Sequence, residues 1–332
     1  CTMLTNILRT NFCFGKRRAS GLARALTDRP IVKEMCFEEP ASYVEEMLSF
    51  NNMMWDGYIE ALKMANLPEN SFGLDAGCGP GGILPLLAKA IGHKGKILGL
   101  DYTPKHVEYA RDVKAQYLNE KYSSLHVDIG TSDFNDNPLK YRDQQGKIAL
   151  MADNIFDWIW SCDTLCPGIF QNPNLIFREL VRVTKPGGKI ILFYGNDRII
   201  LLPGFQRLES QLYEMVHFPD LKNGGDKLAQ TDLANVWMEK EGLGPVEFKT
   251  LIVEKHGPVK SQEKTEGHEK PEYNDRRYLD YHLSDMFLNS LRDLHNGYDF
   301  PIIDKTSPNY CLLQSDYYFR LTPQVNIGVV NK

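Results

Sequence analysis

The sequence predicts an α/β protein built on a doubly wound, mainly parallel sheet. Three observations carry that expectation. Between Phe72 and Gly195 short apolar runs alternate with longer segments of helical periodicity, the pattern of right-handed βαβ crossovers with helices on both sheet faces. A glycine cluster, Gly77, Gly79, Gly81 and Gly82, follows the first apolar run. Apolar residues make up 42% and charged residues 24% of the 332, an ordinary globular balance.

From Ala41 to Leu67 the residues Val44, Met47, Leu48, Met54, Trp55, Tyr58, Ile59 and Leu62 recur at helical spacing. They predict one or two amphipathic helices, with Trp55 and Tyr58 on the core-facing side. Pro68 and Asn70–Ser71 end the pattern. Phe72–Ala76 reads as the first strand, Gly82–Ile91 as a helix and Lys96–Asp101 as the second strand. A helix is expected from Pro104 to Lys121, a third strand over Leu125–Thr131 and a fourth over Phe156–Ser161. Pro173–Thr184 is helical, Lys185–Gly188 a turn, and Lys189–Tyr194 the fifth strand.

Beyond Gly195 the pattern loosens. Gly204–Phe218 and Thr231–Gly242 read as helices, the second capped by Gly242, and Val246–Glu254 as a sixth strand. Lys255–Arg277 is a polar, exposed loop, and Leu279, Leu283, Met286, Phe287, Leu291 and Leu294 mark one face of a helix. Tyr317–Val330 is strand-like, with Pro323 confining it to an edge or splitting it. The domain plan is a basic leader (1–28), an N-terminal helical cap (29–70) and a core (71–256) with a helical insertion at about 197–230. An inserted loop and helical cover (257–315) and a returning C-terminal strand (316–332) complete it.

Composition excludes several classes. The net charge of −5 disfavours a general nucleic-acid binder, which needs clustered Lys and Arg. No apolar run approaches the ~18–20 residues that span a bilayer. The seven cysteines (Cys1, Cys13, Cys36, Cys78, Cys162, Cys166 and Cys311) are odd in number and scattered, which fits a reducing, intracellular setting. Cys162 and Cys166 lack a second cluster of comparable spacing, so buried thiols are expected and no metal. No Asp or Glu precedes Asp28, whereas Arg9, Lys16, Arg17, Arg18 and Arg24 do. That bias is a transit-peptide composition, pointing to a mitochondrion or plastid. The plainer reading is a basic helix lying on an acidic surface of a cytoplasmic protein. Composition leaves the oligomeric state open.

The chemistry-bearing stretch is Leu74-Asp75-Ala76-Gly77-Cys78-Gly79-Pro80-Gly81-Gly82. Glycines there allow a tight turn and close backbone approach to a ligand, and the helix after them adds a positive dipole end. Asp101 closes the second strand, where a carboxylate accepts both hydroxyls of a ribose; its plainer role is a turn or helix cap. A nucleoside cofactor is therefore expected. Gly77, Gly79 and Gly82 also satisfy a dinucleotide pattern, which keeps an NAD-dependent oxidoreductase as an alternative. Asp75 argues against it, since its charge repels a pyrophosphate and suits the ammonium of an amino-acid moiety.

On these residues the segment from Phe72 to Gly195 resembles the class I S-adenosylmethionine-dependent methyltransferases, and is most similar to their ubiquinone/menaquinone-biosynthesis small-molecule group. L-D-A-G-C-G-P-G at 74–81, G-L-D-Y at 99–102, F-D-W-I-W-S-C-D at 156–163 and R-V-T-K-P-G-G-K-I at 182–190 match that family's motifs in order. The resemblance implies a Rossmann-like sheet with an antiparallel last strand, and S-adenosyl-L-methionine as cofactor. It implies that Asp75 holds the cofactor's amino-acid end, with Ala76, Gly77, Cys78, Gly79 and Gly81 giving close backbone approach. Asp101 would hold the ribose and Tyr102 pack on adenine. Asp133 and Phe134 would meet the adenine amino group, with Asp128 as competitor, and the 135–154 connection exceeds the family's usual length. Ser161 and Asp163 would lie beside the sulfonium and the acceptor, although Asp163 as a plain loop acid is as good a reading.

Methyl transfer requires a base only where the acceptor must lose a proton. Asp163 and His217 are the catalytic candidates, with His282 and His295 more remote. Tyr43 and Tyr194 are candidate substrate contacts, Tyr43 as a lid residue. Phe205, Tyr213, Phe218, Trp237, Tyr278, Tyr281 and Phe287 suit an apolar or aromatic small-molecule acceptor. A third alternative is a non-catalytic methyltransferase-like assembly factor that uses its flanks to bind a protein.

Overall fold

The computed structural model describes residues 41–134, 138–164, 173–195, 234–259, 303–308, 310–314 and 317–331, with 199–200, 202–203, 209, 279–280, 283 and 288 between them. Two helices open it, α1 (Ala41–Met53) and α2 (Trp55–Ala65). Asp56 in the first turn and Lys63 in the last complement the α2 dipole. Asn66, in the left-handed region at φ 45, closes α2 by donating its N–H to the Leu62 carbonyl. The buried face of α2 carries Tyr58, Ala61, Leu62 and Ala65, as its spacing predicts.

Among the described residues the central sheet has nine strands. They are β1 (Phe72–Ala76), β2 (Lys96–Asp101), β3 (His126–Thr131), β4 (Lys140–Arg142), β5 (Ile148–Leu150), β6 (Phe156–Cys162), β7 (Thr184–Tyr194), β9 (Leu243–Thr250) and β12 (Gln324–Val330), in the order β5-β4-β3-β2-β1-β6-β7-β12-β9. The strands β3, β2, β1, β6 and β7 pair in parallel, and β12 runs antiparallel to both β7 and β9. Strand order reverses between β1 and β6, so the crevice at their carboxyl ends is where such sheets take ligands. A smaller antiparallel sheet joins β8 (Ile199–Ile200), β10 (Val253–His256) and β11 (Tyr318–Leu321) in the order β10-β11-β8.

Alternation along the strands fills two apolar layers. Leu74, Ala76, Ile159, Ile190 and Leu192 join α6 (Pro173–Val183) and α7 (Ala234–Lys240) in one. Trp158, Trp160, Ile191 and Phe193 join α2 and α3 (Leu84–Ala90) in the other. Tyr58 from α2 packs edge-on to Trp160, with centroids 6.1 Å apart, and 4.9 Å from Phe193. It is therefore a core residue.

Some expectations are met in altered form, and others give way to pairings the local pattern does not contain. The helix expected over 104–121 is α4 (Pro104–Tyr109), a π turn (Ala110–Ala115) and α5 (Gln116–Lys121). The π turn sets Ala110 and Lys114 against Gly81, where an added Cβ would meet their Cβ atoms at 3.2 and 3.3 Å. Lys185–Gly188 is not a turn between elements but a bulge inside β7, with Gly187 at φ 78 and the register to β6 slipping between Phe156 and Trp158. Lys185 pins that bulge to Asp157 at 2.7 Å, and the other Asp157 oxygen accepts the Phe72 N–H at 2.8 Å. The expected strand Val246–Glu254 splits into β9 and β10, in different sheets, where the Leu251 N–H turns to the Pro323 carbonyl at 2.8 Å. Pro323 splits the tail as expected, but β12 lies inside the sheet and not at an edge. The insertion at about 197–230 includes strand β8, while most of it lies outside the described residues, as does most of 260–302.

Of the long 135–154 connection, the described residues 138–154 contain the β4–β5 hairpin and are clamped to α6. Glu179 accepts the Leu139 N–H at 2.7 Å and the Arg182 guanidinium at 2.8 Å, and Arg182 also donates to the Met151 carbonyl at 2.9 Å. The Arg182 bonds, then the Leu139 N–H, hold the Glu179 carboxyl below its usual value. Such a depressed acid stabilises the fold above its unfolded pKa, and that stabilisation is lost as pH falls through the folded value. Glu179→Gln is expected to cost about 1–2 kcal/mol at pH 7. Urea melts at stepped pH should show the gap to wild type closing below about pH 4.5, the ordinary glutamate range.

Candidate active site

Three strand ends meet at the crevice. From β1 the chain enters the glycine turn, with φ of 82, 51 and 78 at Gly77, Gly79 and Gly81. The turn is tied to β2 from within. Gly77 and Cys78 both donate to the Leu100 carbonyl, at 2.8 and 2.9 Å, and Gly81 donates to the Cys78 carbonyl at 2.9 Å. Gly79 donates to Asp101 Oδ2 at 2.9 Å. The expectation that these N–H groups face a ligand is therefore corrected: they are engaged inside the protein. A pyrophosphate finds no donors among them, which weighs against the dinucleotide reading. The following helix α3 begins only at Leu84, well past the turn.

What the crevice offers instead is a pair of carboxyl groups, Asp75 and Asp101. Asp75, on β1, is 1% exposed, and its Oδ2 makes no hydrogen bond. Burial first, and the Asp101 carboxylate second, push its carboxyl up to about 8. Asp101 closes β2. Its Oδ1 accepts the Thr103 N–H at 2.8 Å and lies 3.5 Å from His106 Nδ1. The turn role weighed for Asp101 is thus real, and its Oδ2, which accepts the Gly79 N–H, has a second lone pair that a ligand hydroxyl can use. Tyr102 follows with 42% of its surface exposed.

The third end belongs to β6. Asp163 adopts φ 48, and its Oδ1 accepts the Gly195 N–H at 2.9 Å while the Cys162 thiol donates to Oδ2 at 3.5 Å. Its carboxylate thereby joins the ends of β6 and β7. Tyr58 OH lies 3.7 Å from Cys162 Sγ. Asp133 stands just past β3, next to Ser132, whose N–H bonds the Asp101 carbonyl at 3.0 Å. Asp128 sits mid-strand opposite Leu98 and accepts a bond from Gln144 at 2.9 Å. Position favours Asp133 over Asp128 for a ligand at the strand ends.

Other predicted residues are enclosed. Ala76 is 0% exposed, Tyr194 1%, Ser161 2%, Phe134 3% and Cys78 6%. Tyr194 and Phe134 pack in the apolar layer of α6, and Ser161 lies in β6 beside Leu192. Strand alternation and core packing leave the Tyr194 and Phe134 side chains little open surface. Tyr43 lies on α1 with its side chain outside the described residues, and His217, His282, His295 and Cys166 also lie outside them.

Two residues that sequence reasoning passed over reach the turn from afar. Thr164 packs on Gly77 so closely that a Cβ there would fall 1.8 Å from its Oγ1. Asn51, from α1, stands 2.8 Å from where a Gly82 Cβ would be. Asn51 carries no local signal; Thr164 follows directly on the Asp163 motif.

Comparison with known proteins finds a methyltransferase domain in this chain. A methyltransferase-domain family model matches residues 69–231. Demethylmenaquinone methyltransferase of Shouchella clausii is 24% identical over 149 residues, 45% of this chain and 54% of that protein. That of Bacillus licheniformis is 28% identical over 134 residues, 40% of this chain and 48% of the relative. The chain thus spans about half the length of these curated relatives. A solved S-adenosylmethionine-dependent methyltransferase from Aquifex aeolicus aligns with a TM-score of 0.43 at 20% identity, over 65% of this chain and 94% of that one. A glycine turn walled by two carboxylates, at the switch point of a sheet whose last strand inserts antiparallel, marks residues 69–231 as a methyltransferase domain of the class I S-adenosylmethionine-dependent type.

Proposed function

We propose that the protein transfers a methyl group from S-adenosyl-L-methionine to an apolar or aromatic small molecule. The observation that carries this reading is Asp75: a buried carboxylate with an unbonded oxygen, beside a second carboxylate, fits a cationic ligand and not a pyrophosphate. The curated relatives are named for demethylmenaquinone as acceptor, which favours a flat, apolar acceptor here.

The cofactor supplies a methyl group activated on a sulfonium. The chain's part is to bind, orient and exclude water. Asp75 receives the ammonium of the amino-acid end, and the Gly77–Gly81 turn gives it close backbone approach. Asp101, held rigid by Gly79 and Thr103, accepts the ribose hydroxyls; Tyr102 flanks the adenine and Asp133 accepts from its amino group. Rigid placement of this kind brings an acceptor within ~3–3.5 Å of in-line attack, the main source of rate in such a displacement. Helix α1 reaches the glycine turn through Asn51, and a cover at that place would keep water from a bound ligand. Where the acceptor must shed a proton, Asp163 at the end of β6 is the carboxylate at hand. Substrate choice belongs to the N-terminal cap and to the segments around 197–230 and 257–315.

Two experiments test the reading. A screen of small aromatic acceptors with methyl-labelled S-adenosylmethionine should find label transfer. Calorimetric titration should show S-adenosylhomocysteine binding; NADH binding in its absence would sink the proposal. Asp101→Ala is expected to weaken S-adenosylhomocysteine binding by ~1.5–3 kcal/mol, the worth of charge-assisted bonds. An unchanged affinity removes the ribose role.

A further inference from the structure

Asp75 is a buried acid whose Oδ2 makes no hydrogen bond among the described residues. It projects from β1 into the layer that holds Trp160, its partner across the β1–β6 pairing. Around it stand Asp101 from the end of β2, Cys78 from the turn, Tyr58 from α2 and Cys162 from β6. Burial holds both thiols and the Tyr58 phenol well above their ordinary values, so near pH 7 they are neutral. Among the described residues, the charged group that acts on Asp75 is another carboxylate. An ionised Asp75 with an unbonded, water-excluded oxygen and a like charge nearby is unfavourable; a proton on it removes the conflict.

We propose that Asp75 carries a proton while the site is free and releases it to solvent when a ligand ammonium docks against it, so that cofactor binding expels a proton. This rests on the proposed S-adenosylmethionine site. The balance is simple. The protonated carboxyl loses its proton to water, the ligand's ammonium keeps its own, and the resulting carboxylate–ammonium pair is neutral overall. The buried pair replaces a buried acid, and an unpaired charge never has to be held in the apolar layer. The depth of Asp75 also sets a chemical filter: a ligand that brings no cation to this oxygen leaves the acid protonated and gains nothing from it.

The test is titration of S-adenosylhomocysteine into wild-type protein at pH 7 in two buffers of different ionisation enthalpy, phosphate and Tris. This probe has the ammonium but not the sulfonium, so it isolates the amino-acid end. The heats should differ by close to one proton released per ligand bound. Apparent affinity should fall about tenfold for each pH unit below about 8, as proton competition requires. In Asp75→Asn the proton release should vanish and the affinity become flat over the same range. Equal heats in both buffers, or a flat wild-type profile, overturn the inference while leaving the binding site intact. Failure of S-adenosylhomocysteine to bind at any pH overturns the site assignment and this inference with it. The buffer comparison needs only wild-type protein, so a variant that misfolds does not blunt it.

Discussion

Gly77→Ala is expected to lower S-adenosylhomocysteine affinity more than 100-fold and to destabilise the domain by ~2–5 kcal/mol. Two independent penalties add at this position. At φ 82 any L side chain costs about 1–2 kcal/mol. The new methyl group would also lie 1.8 Å from Thr164 Oγ1 and 2.6 Å from its Cγ2, a clash that overpacking data price at ~1–3 kcal/mol. Thr164 cannot simply swing away, because its hydroxyl donates to the Cys162 carbonyl at 2.9 Å. Either the turn or the end of β6 must shift, and each carries a wall of the site. Pairing the change with Thr164→Gly should recover part of the stability by removing the clash and none of the φ penalty. Urea melts and ligand titration on the single and double variants check this; binding within twofold of wild type in the single variant would refute it.

Gly73→Ala is expected to be the costliest single methyl group in the sheet, at ~3 kcal/mol of stability, the upper end of the usual range for overpacking a core. The backbone of Gly73 is ordinary extended strand, so the whole effect is steric. Its Cβ would sit 2.0 Å from Cε2 and 2.1 Å from Cζ2 of Trp158, the residue directly across the β1–β6 pairing. That ring is fully buried and its Nε1 donates to Ser71 Oγ at 2.9 Å, so it has neither space nor freedom to retreat. In a domain of this size each kcal/mol moves the melting temperature by roughly 2–4 °C, so a fall near 10 °C is expected in a thermal melt. A smaller ring should relieve it: Gly73→Ala with Trp158→Phe is expected to melt above Gly73→Ala alone. If the double variant is the less stable of the two, the ring is not the source of the clash.

How far the sequence announced this structure depends on the range of each interaction. The parallel strands β1, β2, β3, β6 and β7 were legible because each is a short apolar run bounded by glycine, proline or charge. Phe72–Ala76 and Lys96–Asp101 appear with the bounds that the pattern predicts. The central place of β12 was not legible, since Pro323 is a local cue and the pairing that buries Val325 and Ile327 reaches back to residues 189–194. The β7 bulge and the parting of β9 from β10 were hidden for the same reason. In the site, Asp75 and the glycines belong to one contiguous stretch, and Asp101 closes the next strand at a regular spacing, so they could be read together. Their bonding could not: the N–H groups expected to face a ligand are taken by Leu100 and Asp101. Asn51 and Thr164 approach from separate elements and leave no trace in the turn's own sequence.

The placement of β12 dictates an order of assembly. Its hydrogen bonds run to β7 on one side and to β9 on the other, so the two cannot be joined before residues 324–330 have left the ribosome. Until that moment the nascent chain holds a nearly finished parallel half of the sheet whose β7 edge, Ile190–Tyr194, is a bare row of backbone donors and acceptors on a strongly apolar strand. Such an edge recruits any extended chain it meets. The synthesis of this protein therefore contains a waiting period, and its yield in a cell should track the supply of chaperones that shelter an open sheet edge.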